Sequence, residues 1–264
     1  DGALKDFSEA IGIDPKSARA YANRGEARFA THDLDGAIAD LDQAITLNPS
    51  DVSAYMTRGN AYDQKGDLDR AIDSYGGAIR LAPNYAPALF TRALALRRKG
   101  ELDLAIADYD RTIRLDPKDA SAYNDRGVVW FVKRDFDHAI ADYNAAIRFD
   151  PNFVVAYNNR GDAWRSKGDL DRAAADFNRA IALSPQFALA YSNRGLVAYQ
   201  KREYKSAIAD FTKAIQLDPK NAQTFHRRAN AYDDSGDRSA ALADYDMAAR
   251  LDPSGGGILY DRGI

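Results

Sequence analysis

Residues 154–187 read VVAYNNRGDAWRSKGDLDRAAADFNRAIALSPQF, and this stretch decides the fold. A first amphipathic segment covers about residues 155–167 and stops at Gly168, which supplies the left-handed conformation that ends a helix cheaply. Asp169 can cap a second segment, whose apolar residues recur at intervals of three and four until Pro185 stops it. The stretch therefore predicts two helices that are joined by a short turn and pack antiparallel.

The same pattern returns every 34 residues along the chain. Eight prolines keep this interval: Pro15, Pro49, Pro83, Pro117, Pro151, Pro185, Pro219 and Pro253. A column of arginines keeps it as well: Arg24, Arg58, Arg92, Arg126, Arg160, Arg194, Arg228 and Arg262. So does a column of alanines: Ala37, Ala71, Ala105, Ala139, Ala173, Ala207 and Ala241. A period of this length predicts helix pairs that each pack on their neighbours.

The repeated motif points to one family. It consists of Tyr157-x-x-Arg160-Gly161-x-x-Trp164, then Ala173-x-x-x-Phe177, then Pro185. This motif resembles the tetratricopeptide repeat (TPR) pattern, and the resemblance covers almost all 264 residues. It implies an all-α, right-handed superhelical solenoid of antiparallel helix pairs.

One solenoid over residues 1–264 is expected. Its full repeats are 18–51, 52–85, 86–119, 120–153, 154–187, 188–221 and 222–255, with partial repeats at 1–17 and 256–264. Both ends fall inside a repeat, and no polar capping unit is visible. We expect either a longer natural chain or exposed ends that associate end to end with neighbouring molecules.

The arginine column departs from the family pattern, which usually has leucine there. An arginine on a largely apolar face needs a partner. The second helices offer aspartates at one repeated position, with Ser74 as the exception: Asp40, Asp108, Asp142, Asp176, Asp210 and Asp244. We predict a ladder of Arg–Asp pairs between packed helices; the alternative is that the arginines line a groove and grip acidic ligands. Gly76 and Gly77 lie inside one second helix, so this repeat is the expected weak point.

Composition narrows the functional classes. The net charge of −3 offers no basic surface for a phosphate backbone, so nucleic acid is not the expected partner. No apolar run is long enough to cross a bilayer. The chain has no cysteine, and its three histidines (His32, His138 and His226) lie far apart in an extended array. We therefore expect no active site, no metal and no cofactor; the compartment is unknown, and the excess of Asp and Arg over Glu and Lys suggests a bacterial source.

The resemblance implies that the first helix of each repeat lines the concave wall of the solenoid. One inner column is mostly small and polar: Asn23, Thr57, Thr91, Asp125, Asn159, Asn193 and Arg227. It resembles the asparagine ladder with which some TPR proteins grip the backbone of an extended peptide, because an amide donates and accepts at once. The alternative is that these are solvated helix residues.

Neighbouring inner positions are apolar: Phe29, Met56, Phe90, Leu94, Val128, Phe131, Val132, Val155, Leu189, Leu196 and Tyr199. They indicate an apolar groove with a cationic rim of Arg97, Arg98 and Arg165. The alternative is that superhelical winding buries them against the next repeat. Chaperone-tail binders of this family use inner lysines that are missing here, so that clamp is not expected, although Arg227 leaves room for a weaker anion site.

These patterns predict a non-catalytic scaffold that binds a peptide or protein segment in its concave groove. The alternative is the substrate-recognition arm of a larger enzyme, for example a glycosyltransferase. The candidate partner-binding residues are Asn23, Phe29, Met56, Phe90, Leu94, Arg97, Asp125, Val128, Phe131, Asn159, Arg165, Asn193, Leu196 and Tyr199.

Overall fold

The computed structural model describes residues 2–254, and these residues form fifteen α-helices and no strand. The helices are α1 Gly2–Ile13, α2 Ala18–Ala30, α3 Leu34–Leu47, α4 Val52–Gln64, α5 Leu68–Leu81, α6 Ala86–Lys99, α7 Leu102–Leu115, α8 Ala120–Val132, α9 Phe136–Phe149, α10 Val154–Ser166, α11 Leu170–Leu183, α12 Ala188–Gln200, α13 Tyr204–Leu217, α14 Ala222–Asp234 and α15 Arg238–Leu251. The prediction of an all-α fold of helix pairs is confirmed.

Two compact units, Asp1–Val129 and Trp130–Ile264, divide the chain within α8. In unit 1 the helices pair as α2 with α3, α4 with α5 and α6 with α7, and each pair also contacts the next. In unit 2 the pairs are α10 with α11, α12 with α13 and α14 with α15, stacked in the same way. The repeat boundaries, and one solenoid over all 264 residues, stay predictions.

The turn inside each helix pair uses one residue in the left-handed region. Glycine occupies it in four turns, with φ between +78° and +93°: Gly66, Gly100, Gly168 and Gly236. Three other turns force a residue with a side chain into the same conformation, with φ between +61° and +63°: His32, Arg134 and Arg202. Such a residue costs roughly 1 to 2 kcal/mol, so these three turns carry strain that the glycine turns avoid.

Within a pair, small residues on the first helix meet a large one on the second. A Cβ built on Gly161 would lie 2.8 Å from the ring of Phe177, and one on Gly195 would lie 2.7 Å from Phe211. Ala93 and Ala229 hold the equivalent position in two other repeats. An added Cβ would overlap the ring in these two pairs, and we expect side chains larger than alanine at this position to destabilise any of the pairs.

The arginine column forms the predicted ladder. The Arg–Asp prediction is confirmed for five pairs, in which Nε and Nη2 of the arginine donate to the two carboxylate oxygens of the aspartate. These pairs are Arg24–Asp40 (2.8 and 2.7 Å), Arg92–Asp108 (2.6 and 2.7 Å), Arg160–Asp176 (2.8 and 2.6 Å), Arg194–Asp210 (2.8 and 2.6 Å) and Arg228–Asp244 (2.7 and 2.8 Å). Bonding to the aspartate raises the pKa of Arg24, Arg194 and Arg228. At the exception, Nε of Arg58 donates to Oγ of Ser74 (3.1 Å). The ladder belongs to the framework and not to a groove.

The remaining nitrogen of the same guanidinium, Nη1, joins neighbouring repeats. It donates to the preceding repeat's second helix, as in Arg24–Ser8 (3.1 Å), Arg58–Asp42 (2.7 Å), Arg126–Asp110 (2.5 Å), Arg160–Asn144 (2.7 Å), Arg194–Asn178 (2.7 Å) and Arg228–Thr212 (2.9 Å). For Arg92 the equivalent acceptor position is Gly76, where a built Cβ would lie 3.6 Å from Nη1. Each arginine thus couples two repeats, and this coupling lacks a side-chain acceptor at Gly76.

The two glycines of α5 differ in what surrounds them. Nothing lies closer than 3.6 Å to a Cβ built on Gly76, whereas one on Gly77 would overlap the ring of Tyr55. An alanine at position 77 therefore requires that ring to move. Alanine fits without rearrangement only at Gly76, and the weak point of this repeat stays a prediction.

Candidate functional site

The first helices carry every predicted partner-binding residue. We use the name first-helix face for the remaining side chains of these helices. It leaves out the side chains of the Arg–Asp ladder and those that make the close contacts within a helix pair. It lies on α2, α4, α6 and the part of α8 up to Val129 in unit 1, and on the rest of α8, α10, α12 and α14 in unit 2.

In unit 1 the predicted apolar residues are largely used by packing. Phe29 packs against the core cluster around Leu41, and Met56 packs against two clusters of α4, α5 and α6. Phe90 meets Tyr109 edge to face, with 5.7 Å between ring centroids. Leu94 and Val128 are half-buried as well. These residues leave only part of their surface for a partner.

Two of the predicted polar residues of unit 1, Arg97 and Asp125, lie near the buried phenol of Tyr109. Nε of Arg97 and the hydroxyl of Tyr109 are buried and have no hydrogen-bond partner within residues 2–254. Burial raises the pKa of Asp125, and the positive charge of Arg97 opposes that rise. Burial also raises the pKa of Tyr109. Asn23 lies half-buried on α2.

Sequence reasoning missed Tyr109, although a comparison between repeats contains the signal. In the preceding repeat the hydroxyl of Tyr75 donates to Oδ1 of Asn60 (2.9 Å). Leu94 occupies the position of that asparagine one repeat later. The hydroxyl of Tyr109 therefore loses the acceptor that its equivalent has, a cost typical of a buried unsatisfied group.

In unit 2 the asparagine predicted to grip a peptide is already engaged. Asn193 is 7% exposed, and its Nδ2 donates to Oδ1 of Asn158 on the neighbouring first helix (3.1 Å). Asn159 is half-buried. Phe131 packs against Phe136 with 5.4 Å between ring centroids. The described contacts of Asn193 and Phe131 are thus made within the unit.

Two arginines lie on the same polar side of unit 2. Nε and Nη2 of Arg165 both donate to Oδ1 of Asp162 (2.9 and 2.6 Å). Nη1 of Arg227 donates to Oγ of Ser192 (2.9 Å), which lies 3.4 Å from Oγ1 of Thr224. Burial lowers the pKa of Arg227, the like charge of Arg165 adds to that effect, and Asp162 opposes it.

The apolar residues of unit 2 divide into packed and exposed ones. Leu196 and Tyr199 pack against the cluster of Ala198 and Phe211, and the Tyr199 hydroxyl donates to Oδ2 of Asp234 (2.5 Å). Burial and this bond to a carboxylate raise the pKa of Tyr199. Val155 and Leu189, by contrast, are 42% and 48% exposed. The equivalent residues of other repeats are Arg19, Ser53, Pro87, Ser121 and Gln223.

Models of the tetratricopeptide repeat match the chain at residues 1–47, 24–86 and 90–152, which together exceed half of its length, and again at 188–221 and 222–254. A further TPR repeat model matches 161–202. The chain belongs to the tetratricopeptide repeat family. No curated protein matches the sequence of this TPR chain.

Solved TPR structures share this fold. A TPR protein from Parabacteroides merdae is 19% identical, with 94% of this chain and 98% of that one covered at a TM-score of 0.78. YrrB, described as a TPR protein with an unusual peptide-binding site, is 23% identical over 74% of this chain and 100% of that one, at 0.56. A chain of the APC/C hetero-tetramer Cut9-Hcn1 is 20% identical over 88% of this chain, at 0.65, and the present chain spans 46% of its length.

TPR folds generally serve as non-catalytic scaffolds for protein interaction, and the repeats of this chain support that role. Residues 2–254 contain no group of three His, Asp or Glu side chains placed to hold a metal ion. Within the same residues, every helix falls short of the length and apolar character that a membrane span needs. The arrangement on the first-helix face offers hydrogen-bonding and apolar contacts to a partner.

Proposed function

We propose that the chain binds a protein or peptide segment on its first-helix face, without catalysis, and that unit 2 provides the main anchor. The exposure of Val155 and Leu189 carries the proposal. Other repeats place arginine, serine, proline or glutamine at the same position, so the fold does not require an apolar residue there. Two large apolar side chains left in water on successive first helices favour a partner that covers them.

The energetic gain from covering them is sufficient for an anchor. Full burial of a valine or leucine side chain contributes about 1.5 to 3 kcal/mol, and roughly half of each remains to be buried. Two such residues therefore supply about 2 kcal/mol, in the range of a modest interface anchor. The peptide-binding site in the name of YrrB, a protein of similar fold, is consistent with this use.

A protein segment suits the surface better than nucleic acid does. The chain has a net charge of −3, and most arginines of its first helices are bonded to aspartates of the same fold. Few cations are therefore left to neutralise a phosphate backbone.

A peptide selection tests the proposal with a matched control. Random peptides displayed on phage are selected against the wild-type chain, against the double variant Val155→Ser/Leu189→Ser, and against Leu242→Ser. Serine already occupies the equivalent position in two repeats, so the double variant should fold. Leu242 lies on the second helix α15 and is 50% exposed, so its replacement removes one apolar side chain that is as exposed as Leu189, but on a second helix.

We expect wild type and Leu242→Ser to enrich one family of peptides with apolar residues, and the double variant to lose it. Enrichment of the same family by the double variant would show that the anchor lies elsewhere. Failure of the wild-type chain to enrich any family would contradict peptide binding altogether.

A further inference from the structure

The guanidinium of Arg227 is half-buried and uses one nitrogen for a hydrogen bond. Its Nη1 donates to Ser192, and within residues 2–254 it makes no ion pair, while its Nε and Nη2 have no hydrogen-bond partner and are not completely covered. The arginines of the ladder differ, because each of the five described pairs commits two nitrogens to a carboxylate. An arginine presented in this way is ready to make a bidentate contact with an oxyanion.

The surroundings of Arg227 add further hydrogen-bond donors and one positive charge. A cleft of unit 2 is lined by Arg227, Ser192, Thr224, Asn221, Gln223 and Leu189. Since one of the two hydroxyls donates to the other (3.4 Å), one hydroxyl remains to donate to an anion, as does the amide of Gln223. Asp218 also lines the cleft and forms no ion pair with Arg227; its Oδ1 accepts from the backbone N–H of Lys220 (3.3 Å).

The charges of Arg165 and Asp162, which both act on Arg227, nearly cancel each other. Asp162 is bonded to Arg165, so the positive charge of Arg165 is largely compensated. The charge of Arg227 has no bonded carboxylate. Asp218 lines the cleft without bonding to Arg227, so a ligand carboxylate would supply the bonded counter-charge that Arg227 lacks.

The neighbours of this site on α12 indicate which kind of carboxylate fits. Leu189 lies one helical turn before Ser192, within the same cleft, while Leu196 and Tyr199 follow on later turns of the helix. A bound segment that covers Leu189 and continues toward Leu196 would pass Arg227 with its central residues. On this path an internal side chain of the segment, and not a chain terminus, meets the arginine.

We propose that Arg227, with Ser192 and Thr224, forms an acidic-side-chain subsite that takes an aspartate or glutamate of the bound segment, next to the apolar anchor at Leu189. This inference rests on the proposed function, since it names the chemistry of the segment. It predicts acidic residues that are flanked by apolar ones in the partner.

Three synthetic nonapeptides test the subsite by calorimetry with the full chain. The first is acetylated, amidated and carries a glutamate between two leucines; the second has glutamine in its place; the third has glutamine and a free C-terminal carboxylate. We expect the glutamate peptide to bind about tenfold more tightly than the glutamine peptide. Arg227→Gln should remove this preference, and Arg250→Gln, the same change at an exposed residue of α15, should keep it.

A second variant separates the charge effect from misfolding. Asp162→Asn removes the carboxylate that compensates Arg165, so the field at Arg227 becomes more positive. We expect the glutamate peptide to bind several-fold more tightly to this variant, with little change for the glutamine peptide. A damaged fold would weaken both. Unchanged or weaker binding of the glutamate peptide alone would count against an anion subsite.

The remaining outcomes separate the subsite from the proposed function. Equal binding of the glutamate and glutamine peptides overturns the subsite and leaves segment binding intact. Recovery of affinity by the free C-terminal carboxylate overturns the assignment to an internal side chain. If no peptide binds, sodium acetate is titrated while the Nε–H signal of Arg227 is followed by NMR; a saturable shift retains the subsite without the function, and no shift overturns both.

Discussion

The replacement of Arg160 by leucine, the residue that the family usually has there, tests whether the ladder contributes to folding. Its partner Asp176 is 6% exposed and accepts two hydrogen bonds from the guanidinium, at 2.8 and 2.6 Å. Arg160→Leu leaves this carboxylate buried without a counter-charge, which typically costs 3 to 5 kcal/mol. We therefore expect about that loss in the free energy of unfolding.

The double variant Arg160→Leu/Asp176→Ala removes both charges and serves as the matched control. It should stay within about 1 to 2 kcal/mol of wild type, because no buried charge is stranded. Asp176→Ser reproduces the natural Arg58–Ser74 contact and should cost about 1 to 3 kcal/mol. The single Arg160→Leu variant is expected to be the least stable of the three.

Urea unfolding followed by far-UV circular dichroism measures these differences. Urea is uncharged, so it leaves the ion pairs unscreened, and the slope of the transition reports whether both units unfold together. A loss below about 1 kcal/mol for Arg160→Leu would refute the reasoning. It would mean that the arginine behaves like an ordinary apolar filler at this position.

Three further predictions concern single positions. Gly76→Asp supplies the missing acceptor for Nη1 of Arg92 and should raise the free energy of unfolding by about 1 kcal/mol in urea titrations. No gain would show that the Nη1 bonds between repeats do not contribute to stability. Arg202→Gly relieves the left-handed residue with φ +62° and should raise the melting temperature in calorimetry, unless the turn is not strained. Tyr109→Phe removes a buried unbonded hydroxyl and should be neutral or stabilising, whereas Tyr75→Phe breaks a bond and should cost about 1 kcal/mol; equal urea midpoints would contradict this contrast.

Most of the fold could be predicted because its signals are local and repeated. Gly168 and Asp169 mark the end of one helix and the start of the next, and the structure places both as expected, with Asp169 accepting from the backbone N–H of Arg172. The Arg–Asp ladder could be predicted because a cation on an apolar face needs a partner at the same repeat interval. Both inferences need only residues within one repeat.

The contacts between repeats could not be predicted in the same way. The bond from Asn193 to Asn158 depends on how successive first helices are placed, which the sequence of one repeat does not specify. The same holds for the hydrogen bonds from Nη1 of these arginines to the second helix of the preceding repeat. The exposure of Val155 and Leu189 likewise separates them from Leu196, a residue with equally apolar character that packs into the core.

Chemical-shift mapping tests the central claim most directly. A peptide enriched by the wild-type chain is titrated into isotopically labelled protein, and the backbone and methyl signals are followed to saturation. The account predicts the largest shifts on α10, α12 and α14, centred on Val155, Leu189 and Arg227. Shifts centred instead on the second helices α11, α13 and α15 would contradict it.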